Sequence, residues 1–164
     1  MTNSAFSAPV LDRGRLIARV AVERRKGQKI ILANGCFDLF HVGHVRYLEG
    51  AKGLGGYLVT AVNSDEQVRS IKGGDRPYVN QEERAEIISS LRCVDVVTIF
   101  SEPTVEELIR AVKPDFHAKG TDYTVETVPE RDVVAEYGGT VAIVGDPKDH
   151  SSTDMASRLY DTSE

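Results

Sequence analysis

The stretch Asn34-Gly35-Cys36-Phe37-Asp38-Leu39-Phe40-His41-Val42-Gly43-His44 gathers the residues best suited to hold a phosphoryl group. It follows the apolar run Lys29–Asn34, which reads as a buried strand, and opens onto Val42–Gly53, which reads as a helix. A helix start presents unpaired backbone N–H groups and the positive end of the peptide dipole, a ready anion site. Gly35 lets the backbone approach a ligand closely. His41 and His44 stand three apart, hence on one face of the first turn, where two imidazoles can donate hydrogen bonds to phosphate. Gly43 removes the side chain between them and leaves room for a triphosphate.

Other uses of these residues compete with that one. His41 could cap the helix while His44 packs, and paired histidines can ligate zinc. The other two histidines, His117 and His150, belong to no ligand motif, so the position of the loop after the first strand favours phosphate. Asp38 could orient the loop or meet a Mg²⁺ ion, which is usually held by one or two carboxylates plus substrate phosphates. Cys36 reads as a small loop residue. Lys72 opens the Gly-rich loop Lys72–Val79 and can swing onto a phosphate as a mobile point charge, against the plainer reading of a solvated lysine. Arg84 lies in the charged run Gln81-Glu-Glu-Arg-Ala-Glu86, where a salt-bridged surface is the alternative. Arg92 could be an ordinary cation at a helix C-terminus. Lys119-Gly120-Thr121-Asp122-Tyr123 is, unaided, a turn with an Asx-type residue. Ser151-Ser152-Thr153-Asp154 offers good caps for a last helix, and the same hydroxyls and N–H groups could hold phosphates.

The elements that must position these groups alternate. Helices are expected over Leu11–Arg25, Val42–Gly53, Ser64–Ile71, Gln81–Leu91 (with Asn80 as N-cap), Val105–Val112, Pro129–Tyr137 and Ser152–Tyr160. Strands are expected over Lys29–Asn34, Tyr57–Val62, Val94–Phe100, Asp115–Ala118 and Thr140–Val144. The strands are near-continuous apolar runs, as sheets covered on both faces require. Alternation of this kind predicts an α/β domain: a Rossmann-like, doubly wound sheet of five parallel strands with helices on both faces. Ligands then bind beyond the carboxyl ends of the strands, at the switch point. Residues 1–10 read as a disordered lead-in. Residues 1–26 are taken as lead-in and helix, and 27–164 as the catalytic domain.

The loop resembles the HxGH signature of the nucleotidyltransferase superfamily, which includes glycerol-3-phosphate cytidylyltransferase. The wider set resembles the heptose 1-phosphate adenylyltransferases more closely. That set is Asn34–Asp38, His44-Val-Arg-Tyr-Leu48, Ala61-Val-Asn-Ser-Asp65, Lys72-Gly-Gly-Asp-Arg-Pro77, Glu83-Arg84, Arg92-Cys-Val-Asp95, Lys119–Tyr123 and Ser151–Asp154. The resemblance implies transfer of AMP from ATP to a sugar 1-phosphate, with Mg²⁺ as cofactor. It implies that His41, His44 and Lys72 carry catalysis. Gly35, Cys36, Phe37, Asp38, Gly43, Lys119, Gly120, Asp122, Tyr123, Ser151, Ser152 and Thr153 would join the two histidines in binding the nucleotide. Asn63, Asp65, Lys72, Arg84 and Arg92 would face the acceptor. The acceptor phosphate is itself the nucleophile, so no protein nucleophile is needed. The family usually places Arg or Ile before its Ser-Thr-Thr; this chain has His150-Ser-Ser-Thr, and Lys148 is a candidate for the missing charge. A cytidylyltransferase acting on an alcohol phosphate and a non-catalytic nucleotide-binding module are the alternatives. Intact His41, Gly43 and His44 argue against the second.

Composition narrows the field further. The chain has 164 residues, is 41% hydrophobic and 27% charged, and carries a formal charge of -5, which argues against general nucleic-acid binding. Its apolar runs fall far short of a membrane span, and Met1–Pro9 lacks the features of a secretory signal. The two cysteines, Cys36 and Cys93, have no CxxC spacing and read as reduced thiols, in keeping with a cytoplasmic protein. The N-terminal helix and the sheet edges leave a homodimer open. With about 26 residues before the first strand there is no room for a fused kinase domain, so a stand-alone transferase is expected.

Overall fold

The computed structural model describes residues 7–147 and 155–157. Its elements run α1 (Arg13–Arg25), β1 (Ile30–Gly35), α2 (Val42–Lys52), β2 (Tyr57–Asn63), α3 (Asp65–Lys72), α4 (Gln81–Ser89), β3 (Val96–Phe100), α5 (Glu106–Val112), β4 (Phe116–Lys119), α6 (Arg131–Ala135) and β5 (Thr140–Ile143). A short 3-10 turn, Val125–Thr127, precedes α6. Residues 155–157 are helical; the rest of the expected last helix, with Lys148, His150, Ser151, Ser152, Thr153 and Asp154, lies outside the described residues.

The sheet is five-stranded and all parallel, ordered β3-β2-β1-β4-β5. The chain winds outward from β1 to β3, then crosses back to lay β4 on the other side of β1. The carboxyl ends of β1 and β4 therefore diverge into a switch-point crevice. Each face of the sheet carries its own core. Leu16, Val20, Ile30, Leu32, Val59 and Ile109 pack under α1 and α5, and Ile31, Ala33, Leu48, Leu58, Ala85 and Ile88 under α2 and α4. Both faces being covered explains why the strands read as unbroken apolar runs rather than alternating ones.

Local chemistry sets the helix starts. Asp12 caps α1 by accepting the N–H of Arg15 at 2.9 Å, Ser64 caps α3 through Gln67 N–H, and Asn80 caps α4 through Glu83 N–H at 2.9 Å. The lead-in departs from expectation. Val10 bridges Val97 in parallel, Leu11 N–H donates to Val97 O, Val97 N–H donates to Pro9 O, and Ala8 N–H donates to Ser89 O. Residues 8–11 are thus ordered, because the outer edge of β3 would otherwise leave its ladder groups unpaired.

One close approach bears on the site. A Cβ on Gly50 of α2 would stand 2.9 Å from Gly145 N, and one on Gly145 would stand 3.2 Å from Tyr47 Cα. Gly145 also has φ +93, a conformation other residues rarely adopt. The segment leaving β5 therefore lies directly on α2.

Candidate active site

A cleft of about 670 Å³ opens over the carboxyl ends of the strands. Asn34, Gly35, His41, Gly43 and His44 line it from the β1–α2 side, and Asn63 and Lys72 from β2 and α3. Lys119, Gly120, Asp122 and Tyr123 line it from β4, and Asp146 from beyond β5.

His41 is the N-cap of α2, and its Nδ1 accepts the N–H of Gly43 at 3.1 Å. His44 Nδ1 accepts the N–H of His41 at 3.3 Å. The two rings stack with centroids 3.9 Å apart. A nitrogen that accepts carries no proton, so both imidazoles hold their N–H on Nε2. Burial, reinforced by His41 and Lys72, pushes the His44 pKa down to about 3, so its ring is neutral at pH 7. Capping and phosphate binding are therefore not rival uses of the pair. The caps fix the tautomer, and the tautomer presents two N–H donors beside a helix N-terminus.

Phe37 anchors the loop. Its ring packs within 3.2 Å of the place a Gly35 Cβ would occupy, edge-on to His44 and stacked on Tyr47. Cys36 lines the cleft, and burial pushes its thiol pKa up despite nearby Lys72 and Arg84, so it stays a thiol rather than a nucleophilic thiolate. Asp38 is fully buried. Its carboxylate accepts from Arg76 Nε at 2.7 Å and from the backbone N–H groups of Tyr78 and Val79, which makes it the organiser of the loop after α3. Lys72, the last residue of α3, is exposed and lines the cleft.

Beyond β4, Lys119 is buried, with its ammonium 3.4 Å from Glu130 Oε2 and 4.7 Å from the centre of the Tyr123 ring. Burial raises the Glu130 carboxyl, but the His117 ring 3.6 Å away and the Lys119 charge outweigh it and hold the group down at about 2. His117 itself is buried and kept neutral by that burial. Neither Glu130 nor His117 carried a motif signal; the pairing arises only when α6 folds back over β4.

Three of the expected substrate residues sit elsewhere. Arg84 is 1% exposed, and its guanidinium donates to Val79 O, Cys36 O and Asp65 Oδ1. Arg84 and Asp65 thus bind each other beneath the loops, and neither lines the cleft. Arg92 is exposed between α4 and β3, at the amino end of the sheet and so opposite the cleft. Asn63 does line the cleft, and its amide donates to Gln67 Oε1 at 2.6 Å. Among the described residues no group of three or more His, Cys, Asp or Glu could hold a metal ion. None of the described helices is long and apolar enough to cross a membrane.

The cytidylyltransferase-like family matches residues 32–158. The chain is 50% identical over 149 residues to bifunctional protein HldE of Desulfatibacillum aliphaticivorans, covering 91% of this chain and 30% of the relative. It is 42% identical over 161 residues to bifunctional protein HldE of Pelobacter propionicus, covering 98% of this chain and 33% of the relative. It therefore spans about a third of the length of these curated relatives. Among solved structures, a lipopolysaccharide core biosynthesis protein from Thermoplasma volcanium superposes with TM-score 0.61 at 29% identity, over 74% of this chain and all of the other. A pantoate-beta-alanine ligase from Francisella tularensis superposes with TM-score 0.62 at 17% identity, over 94% of this chain and 78% of the other, a likeness of fold alone. With the match running through most of the chain and across the paired histidines, the protein belongs to the cytidylyltransferase-like family and is a nucleotidyltransferase.

Proposed function

We propose that the chain transfers AMP from ATP to heptose 1-phosphate, releasing ADP-heptose and pyrophosphate. The observation that carries the chemistry is the pair of Nε2–H donors fixed beside the start of α2. Catalysis here is positioning and charge neutralisation. An oxygen of the acceptor phosphate attacks the α-phosphorus, and the bond to the bridging oxygen of the leaving pyrophosphate breaks. His41 and His44 donate to the α-phosphate oxygens as charge builds there, and Lys72 supplies a mobile positive charge. No proton need be removed from the nucleophile, because a phosphate oxygen is already anionic at neutral pH.

A divalent metal, with Mg²⁺ as our proposal, would arrive on the triphosphate and neutralise part of its charge. The residues fit that mode. The cleft needs only one carboxylate at its rim to meet the ion, and Asp122 is exposed there. Asp38 is bound into its own loop and is unsuited to the task.

The heptose assignment rests on the motif set shared with the heptose 1-phosphate adenylyltransferases, and is supported by relatives named HldE and by the lipopolysaccharide core biosynthesis structure. Such a reaction would draw on soluble metabolites, in keeping with a cytoplasmic site. Pyrophosphate release measured across nucleotides and acceptors tests it. Product is expected from ATP with heptose 1-phosphate and none from ATP with the free sugar, since a phosphate oxygen is already anionic whereas a hydroxyl would need a general base. Turnover only with CTP and glycerol 3-phosphate would move the assignment to a cytidylyltransferase. Binding without turnover on any pair would make the domain a nucleotide-binding module.

A further inference from the structure

An in-line displacement places the incoming and leaving oxygens on opposite sides of the phosphorus, and both carry negative charge. Lys72 serves one flank of the histidine pair, on the side of β2. Lys119 is engaged by Glu130 and Tyr123. On the β5 flank the cleft is lined by Arg46, two residues past His44 on α2, whose Nη1 lies 2.9 Å from Asp146 Oδ2.

We propose that Arg46 binds the β- and γ-phosphates of the nucleotide and the pyrophosphate that leaves, and that Asp146 holds its guanidinium ready until the triphosphate displaces the carboxylate. This rests on the nucleotidyltransferase reading of the cleft. The pair is built for exchange. Its side chains are 47% and 55% exposed, and exposed ion pairs of this kind contribute little, whereas a guanidinium meets phosphate through two parallel charge-assisted bonds. Nor is the pair needed to fasten the segment beyond β5. Val144 N–H donates to Lys119 O, Thr121 Oγ1 donates to Asp146 O at 2.7 Å, and Gly145 lies against Tyr47.

The two roles predict effects of different sign. If the pair were only a fastener, R46Q and D146N would break the same bond and behave alike. If Arg46 is the phosphate ligand, R46Q raises the KM for Mg·ATP and the inhibition constant of pyrophosphate about tenfold or more. R46K recovers part of that loss. D146N raises neither and lowers both, because a competing carboxylate beside the polyphosphate has gone. The acceptor KM stays within about twofold throughout. Melting temperatures of all three variants should match the wild type, and the paired D146N result decides the matter even if R46Q folds poorly. An unchanged R46Q, or a D146N that weakens both ligands as R46Q does, overturns the proposal. Calorimetry separates the two levels of failure. A wild-type protein that binds no nucleotide sinks the reading of the cleft, while a wild type that binds Mg·ATP with R46Q indistinguishable from it sinks the role of Arg46 alone.

Discussion

The two ends of the sheet use the same residue types to opposite purpose. At the amino end, Asp95 accepts the backbone N–H of Leu58 at 2.6 Å and pairs with Lys52 at 2.5 Å. Asp115 likewise accepts the N–H of Ile30 at 2.8 Å and pairs with Arg24 at 3.5 Å. Each acid closes the open start of a neighbouring strand and is closed in turn by a base. At the carboxyl end, the histidine Nδ1 atoms hold the start of α2 together, and both rings and Lys72 border the cleft. Charge that satisfies itself stabilises; donors and charge held in place beside the cleft are what a substrate can use.

The sharpest break in this contrast comes from H44A. Losing one preorganised donor should lower kcat about 10²–10³-fold, with only the small loss of stability that goes with a weakened cap, read by pyrophosphate release and thermal melting. A folded H44A with near-normal kcat would remove His44 from the chemistry. Next in size is D95A at the other end. It strands the Leu58 N–H and the Lys52 ammonium and should cost about 1–3 kcal/mol of stability, while kcat of the folded protein stays at the wild-type value. A large fall in kcat without a fall in melting temperature would erase the distinction between the ends. K72A should raise the KM of a phosphorylated substrate by about tenfold, the scale of one lost charge-assisted hydrogen bond, with no shift in melting temperature, because truncating an exposed side chain at the C-terminal end of α3 opens no cavity. A lowered melting temperature with unchanged kinetics would make Lys72 structural.

The smallest expected change is in the histidine spectrum. With its pKa near 3, His44 should show the neutral Nε2–H tautomer from pH 8 to 5 in ¹⁵N NMR. An imidazolium signal at pH 6 would contradict the capping argument. The linked effect on stability has a definite sign. The folded pKa lies below the ordinary value of 6.5, so the contribution is complete above pH 6.5 and drains away as the pH falls toward 3, where the unfolded chain takes up a proton that folded His44 refuses. Urea denaturation across that range measures it.

The sequence made the parallel α/β fold legible because the strands are apolar runs alternating with helices, one of which starts at its expected cap, Asn80. It made the His41–His44 pair legible because two histidines three apart at a helix start have a local signature, and both line the cleft. It misjudged what depends on tertiary partners without one. Pro9 and Val10 look unstructured until the edge of β3 arrives to pair with them. Arg84 reads as a surface cation because two of its partners are backbone carbonyls, which no side-chain pattern marks. Arg92 could be placed only once strand direction put the start of β3 away from the cleft.

The buried guanidinium of Arg84 has a consequence for protein engineering. Its three bonds reach three separate segments, the loops at Cys36 and Val79 and the start of α3 at Asp65. Those segments form one mechanical unit around a common rivet. Grafting any one of them from a relative would import a backbone carbonyl or carboxylate cut for a different rivet, and the transplanted loop would sag. A swap meant to change acceptor preference should therefore carry residues 35–38, 63–65 and 76–84 together, as a single cassette.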